Sequence, residues 1–489
     1  MNRGLWSWVV IFALALASYG IWQAATDDSA EGAVRAESYV MNDGPAPADR
    51  PAPELGEFPA REIERERLEH ARKGAAESSD ERRYEIGVIV DVDASKPLDW
   101  TEVPDAAGAS RWIASIRSEG AAFVRPHFAV SPRALGYAVR AWGDDDRQVQ
   151  DVVDRRQTPT EPGAWGALTF GDTTYLEVIA ARAPADLRVD RVVHGDVDFR
   201  IVPKVQNCHL DPTCYDEYAD VQSAIALITV GSGFSQWLCT GNLLADTAQT
   251  GQPWLLTANH CMGDQGEAES LVAYFRYETS VCNGSVPPLQ TTPATSGSDF
   301  KASNNQSDYA LVLLHEQPPA GTVALGWTTE PLDTDEPLSV VHHPAGSWKR
   351  IAFGFEDGDW GNKWNVGYTE ANTEQGSSGS ALLNSDRLVV GQLSTGTSYC
   401  WWRQGTDQFG KFSRDYDLGA SEFLNNGEPS TTTTTTIPPD DDTDDDADDD
   451  DDWYPDDDQS GDDDAQPDDD ASGDDDSGDD DDDDGGCGC

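Results

Sequence analysis

The sequence predicts an all-β protein. Short apolar runs recur between turns rich in Gly, Pro and Asn, several of them alternating as half-buried strands do. Helical periods are nearly absent from the longer of two globular units. Residues 84–200 carry the runs Ile86–Val92, Trp112–Ile116, Ala121–Val124, Gly136–Trp142, Ala167–Phe170 and Tyr175–Ala181. They read as a small β-sandwich-like unit without a catalytic constellation, structural or pro-domain in character. Residues 205–424 carry Ser223–Val230, Trp254–Ala258, Leu271–Phe275, Tyr309–Leu314, Leu338–His342 and Leu388–Leu393, which read as a sandwich or barrels.

The flanks differ in composition. Residues 1–25 begin with Arg3 and run apolar from Leu5, as a signal peptide or uncleaved signal anchor does. Export of the rest is expected, to a secreted or cell-surface location. Residues 26–83 form a linker rich in Pro, Ala and charge, with Ala60–Lys73 a solvated helix or disordered. Residues 425–439 form a Ser/Thr/Pro linker. Residues 440–489 form an Asp-rich tail that cannot bury a core and is expected to be disordered. It ends in Cys487-Gly488-Cys489, a candidate attachment point.

The net charge of -57 is concentrated in that tail. The remainder is still acidic, which argues against nucleic acid as a partner. Six of the eight Cys lie between Cys208 and Cys400, in an exported unit where disulfides form. Their pairing is open from spacing alone.

Three segments carry chemistry. Gly376-Ser377-Ser378-Gly379-Ser380 is a small-residue loop that could present a nucleophile and aim backbone N–H groups at a substrate carbonyl. Alone it could equally be a flexible loop. His260 ends the apolar run Trp254–Ala258 beside Cys261 and is the candidate base. Asp308 opens the apolar run Tyr309–Leu314, where burial obliges its carboxylate to find a partner. A His Nδ1–H would serve, and a plain strand-edge Asp is the alternative.

The order His260, Asp308, Ser378, within Thr-Ala-Asn-His-Cys, Ser-Asp-Tyr-Ala-Leu and Gly-Ser-Ser-Gly-Ser, resembles the trypsin-like serine peptidases of chymotrypsin fold. It is similar in particular to secreted bacterial lysyl endopeptidases, a likeness extended by Cys239-Thr-Gly-Asn-Leu, His342-His343-Pro344, Lys349-Arg350-Ile351 and Asp407-Gln408-Phe409-Gly410. The resemblance implies a double antiparallel β-barrel over 205–424, preceded by a pro-domain. It implies a Ser378–His260–Asp308 triad, with an oxyanion hole at Gly376 and Ser378. It also implies bridges Cys208–Cys400, Cys214–Cys282 and Cys239–Cys261. Asp407 would lie at the base of the S1 pocket, walled by Ser394 and Gly396, and select Lys or Arg. No metal or cofactor is implied. Polypeptides are the expected substrates and a monomer the expected state.

Two departures matter. Lysyl endopeptidases carry a His at the position of Ser394, so strict Lys preference is not implied. Ser377 stands where trypsin has the Asp that pairs with a freshly cut N-terminus. A cut after Arg200 or Lys204 would therefore only release the pro-domain of a zymogen. The rival reading is a catalytically inactive protease fold used as a cell-surface binding or adhesion protein.

Overall fold

A computed structural model of the chain describes residues 33–41, 58–104, 110–145, 149–152, 163–201, 208–398, 400 and 405–425. The apolar N-terminal run, the Asp-rich tail, Cys487, Cys489 and Lys204 lie outside the described residues. Among the described residues no helix is long and apolar enough to cross a membrane.

The protein is mostly β, and its longer unit is a double barrel. In the C-terminal half, strands Pro337–His342, Arg350–Asp359, Lys363–Glu370, Thr406–Lys411, Val389–Gly396 and Ala381–Leu383 pair in that order. Ala381–Leu383 then returns to Pro337–His342 and closes the ring. The N-terminal half is a curled sheet of Ile225–Ser232, Ser235–Leu244, Trp254–Ala258, Tyr309–Leu314, Ser298–Asn304, Val272–Phe275 and Ala294–Ser296. The strands richest in apolar residues, such as Ile225–Ser232 and Trp254–Ala258, are buried along nearly their whole length because both of their faces are covered. The junction of the halves is apolar: Cys239, Leu243, Ala258, Leu311, Val341, Ala381 and Val389 share one core.

Disulfides join Cys208 to Cys400, Cys214 to Cys282, and Cys239 to Cys261. The last closes a loop of 22 residues. By chain entropy such a loop is worth about 3 kcal/mol.

The upstream unit is a sandwich. One sheet carries Ser110–Arg117, Thr173–Ile179 and Val139–Gly143; the other carries Phe123–Phe128, Val189–Gly195 and Tyr84–Asp91. Ile116, Ala141, Leu176, Val124, Phe128 and Val192 fill the space between. The second sheet does not end at the unit's border. Tyr84–Asp91 pairs antiparallel with Ser235–Leu244 of the barrel, Gly87 opposite Gln236 and Tyr84 opposite Leu238. Below this seam Phe123, Phe170 and Phe199 pack with Leu227, Leu238 and Tyr274 in a common core. The Phe123 and Phe199 rings meet edge-to-face at 5.5 Å.

The expected linker over 26–83 is structured in several places, among them Ala60–Glu62, which pairs in parallel with Ser115–Arg117. Arg35–Ala36 pairs with Trp327–Thr328, and Tyr39–Met41 with Thr322–Ala324. Arg65–Glu77 is a helix that buries Ala71 and Ala75 against Val88 and Val90. Its apolar stripe escapes a sequence reading because small residues make it. A Cβ on Gly74 would stand 2.5 Å from the Phe234 ring, so close approach is what the stripe provides.

The shared core yields a prediction. In the full-length, uncut chain, Phe199→Ala should cost about 3–5 kcal/mol, the usual loss for a buried Phe. A urea melt measures it. A loss below about 1 kcal/mol would show that this seam carries little of the stability.

Candidate active site

The sequence-predicted residues converge where the two halves of the barrel meet. Trp254–Ala258 runs into a turn that carries His260, and Cys261 ties that turn to Cys239. Asp308 precedes the paired strand Tyr309–Leu314 and adopts φ +62°. This left-handed conformation is one that Asp tolerates better than most residues. The turn is held from both sides. Its carbonyl accepts from the Asn259 N–H at 2.9 Å, and its Oδ1 accepts from the His260 N–H at 2.9 Å.

Oδ2 of Asp308 lies 2.8 Å from His260 Nδ1 and accepts from Ser394 Oγ at 2.6 Å. An ionised carboxylate only accepts, so Nδ1 carries the proton and Nε2 is free to act as a base. Burial pushes the Asp308 carboxyl up, but the bonds from His260 and Ser394 outweigh it and hold the group below the usual range. His260 Nε2 is buried with no hydrogen-bond partner among the described residues.

The loop of Ser378 is shaped by its glycines. Gly376 has φ +89° and Gly379 φ +85°. A Cβ on Gly379 would stand 2.2 Å from Thr257 Oγ1 and 2.6 Å from the Thr240 carbonyl. Thr240 clamps the loop, its N–H donating to the Ser378 carbonyl and its Oγ1 to that of Gly376. The N–H groups of Gly376 and Ser378 donate to no protein group among the described residues. Ser377 is turned inward, its Oγ 2.7 Å from His342 Nδ1.

Asp407 is 1% exposed and shares a cavity of about 710 Å³ with Ser378, Ser394 and Gly396. Oδ2 accepts from Tyr368 Oη at 2.9 Å, from Ser398 Oγ at 2.7 Å, and from Thr373 Oγ1. No cation pairs with it among the described residues. Burial raises its carboxyl above the usual range despite these three hydroxyls. A Cβ on Gly396 would lie 1.8 Å from Asp407 Oδ1.

The sequence reading missed what covers this cavity. Glu81, Arg82 and Tyr84 line it. Ser378 Oγ donates to the Arg82 carbonyl at 3.4 Å rather than to His260. Arg82 Nη1 lies 3.7 Å from Asp308 Oδ2, and the Arg82 side chain also pairs with Asp80. Arg83 donates to the His260 carbonyl at 2.6 Å and stacks over Trp237 at 3.9 Å. Gln375 donates to the Glu81 carbonyl at 2.9 Å. The available signal was a dibasic pair just ahead of the first apolar run.

Among the described residues two Cys/His groups have metal-like spacing, Cys208–His209–Cys400 and Cys239–His260–Cys261. Their sulfurs are bridged to each other and offer no thiolate.

A double barrel with these residues at its seam defines a class, and the chain is a serine endopeptidase. Within that class it is similar to lysyl endopeptidases. Residues 202–410 match the family model "Lysyl endopeptidase, C-terminal domain". A Pseudomonas aeruginosa lysyl endopeptidase is 25% identical over 365 residues, covering 65% of this chain and 76% of the relative. Among solved structures, the M. tuberculosis protease Rv3671c in its active form aligns at a TM-score of 0.32 with 14% identity, covering 43% of this chain and 86% of that one. The thermostable serine protease AL20 aligns at 0.31 with 15% identity, covering 42% and 99%.

Gly396→Ala should close the cavity above Asp407. Turnover of a Lys or Arg peptide should fall by on the order of 100-fold in kcat/KM, as misplacement of a bound group does. Steady-state kinetics would show it, and an unchanged KM would place the substrate side chain elsewhere.

Proposed function

We propose that the chain is the precursor of a secreted endopeptidase that cleaves after Lys and Arg through Ser378, His260 and Asp308. The observation that carries the specificity is Asp407, a buried carboxylate with which no cation pairs among the described residues, in the cavity that also holds Ser378. A substrate ammonium or guanidinium would supply the missing charge. The apolar N-terminal run and the three disulfides support secretion.

In this mechanism His260 Nε2 takes the proton of Ser378 Oγ as the oxygen attacks the scissile carbonyl. Asp308 holds the ring in the required tautomer and stabilises the imidazolium. The Gly376 and Ser378 N–H groups receive the oxyanion. His260 then protonates the leaving amine, and water releases the acyl-enzyme by the same steps. None of this occurs while Arg82 holds the Ser378 hydroxyl, so the upstream segment keeps the precursor inactive. Arg200 is a candidate release point. Its guanidinium is tied to Asp198 and Asp145, whereas Ile201 is 73% exposed. N-terminal sequencing of the secreted protein should give Ile201 or Val205 as the first residue of the barrel unit.

A panel of peptides varied at P1 tests the specificity. Cleavage should follow Lys and Arg, and Ser378→Ala should lower turnover by on the order of 10⁶. Unchanged cleavage by Ser378→Ala would sink the triad. Asp407→Asn should remove the basic preference. The pH dependence follows from the raised Asp407 carboxyl. Only its ionised form binds a cation, so KM for Lys peptides should rise as pH falls through that raised value. The rise should begin at a higher pH than an ordinary carboxylate would give. A peptide with a neutral P1 should show no such rise.

A further inference from the structure

Lys363 has no carboxylate within ion-pair distance among the described residues, yet it is half-buried and turned inward. It begins the strand Lys363–Glu370, opposite Gly410. Its Nζ donates to Ser394 Oγ at 2.8 Å, and Ser394 Oγ in turn donates to Asp308 Oδ2 at 2.6 Å. An ammonium has donors only, and a hydroxyl has one proton. With Lys363 donating to its oxygen, Ser394 directs that proton to Asp308.

We propose that Lys363 is a positioning residue for the reaction, holding the Ser394 hydroxyl on Asp308 and setting a positive charge one hydroxyl beyond the Asp308–His260 pair. This rests on the triad reading given above. Chains of hydrogen bonds polarise one another in a poorly solvated site, so a charge at the end of the chain is felt at the carboxylate. Burial lowers the Lys363 ammonium below its usual range, and Asp308 opposes that shift. Arg82 faces the same carboxylate from the upstream segment and also works against Lys363. Once that segment leaves, Lys363 remains.

Other ionisable groups face the site. Asp415, from the helix Phe412–Asp415, is wholly buried and feels Asp308. Its carboxyl is held well above the usual range, chiefly by burial, so it brings little charge. Asp80 acts on His260 from the upstream segment and departs with Arg82.

The test uses active enzyme matured from the full-length chain, with a Lys-P1 peptide. Lys363→Met should lower kcat/KM by about tenfold, the worth of one charge-assisted hydrogen bond. KM should stay nearly constant. Losing a positive charge makes the imidazolium easier to form, so the acid limb of kcat/KM should move to higher pH by about half a unit to one unit. Lys363→Arg should restore both. In a Ser394→Ala background, Lys363→Met should add little, because the intervening hydroxyl is gone. A lower melting temperature with an unmoved pH profile would overturn the proposal and leave Lys363 a structural residue. A change in KM that depends on the P2 or P3 residue, with the profile unmoved, would overturn it in favour of a subsite role. If Lys363→Met fails to accumulate, Lys363→Gln serves for the same profile. Activity retained by Ser378→Ala would instead defeat the triad reading.

Discussion

The buried carboxylate of Asp308 is the constraint on which the arrangement depends. A charge taken out of water must be repaid by donors, and the structure supplies them from separate parts of the chain. The His260 backbone and ring come from the turn after Trp254–Ala258. The Ser394 hydroxyl comes from the other half of the barrel. The Arg82 guanidinium approaches from upstream. One carboxylate therefore fixes the relative placement of both halves at their seam. The Cys239–Cys261 bridge holds the turn against the strand that also meets the upstream unit.

The upstream sandwich is joined to the barrel by a continuous sheet, which explains how so short a segment as Asp80–Tyr84 finds the cleft. Tyr84 is already in register with Leu238, so the residues before it emerge beside His260. Sheet pairing fixes the direction, and the Arg83–Trp237 stack fixes the distance. Arg125 of the sandwich, wholly buried, reaches across to the Ser270 carbonyl of the barrel unit. Releasing the sandwich would uncover a barrel face lined by Leu227, Leu238 and Tyr274.

Much of the fold was legible because apolar runs separated by turn residues are strong local signals. The barrel strands are read directly from runs such as Tyr309–Leu314. The helix Arg65–Glu77 was not, since Ala71, Gly74 and Ala75 carry too little hydrophobicity to stand out among charges. The strands Arg35–Ala36 and Tyr39–Met41 are too short to show a period, and their pairing with residues near 325 is set by tertiary contact alone. At the site, motifs pointed to His260, Asp308, Ser378 and Asp407 because each sits in a distinctive local string. Lys363 sits in no such string, and Arg82 only in a dibasic pair that does not show what it faces. Their positions follow only from strands brought together in space.

The loop of Ser378 bears on how the precursor proposed above would be controlled. Where a nucleophile loop is held by an ion pair to a new N-terminus, the loop is incomplete until the chain is cut. Here the residue ahead of Ser378 is a serine, and its hydroxyl meets His342 Nδ1 and the Glu374 N–H. Burial, reinforced by His209, His343 and Arg350, holds His342 well below its usual range and so neutral. The Ser377–His342 contact is therefore a neutral hydrogen bond that needs no amine. The loop is complete with the chain uncut, its glycines and Thr240 clamp already in place. Control then falls to access. On the proposed reading, what a maturing cut must accomplish is the departure of Asp80–Tyr84 from the cleft, rather than the assembly of the loop.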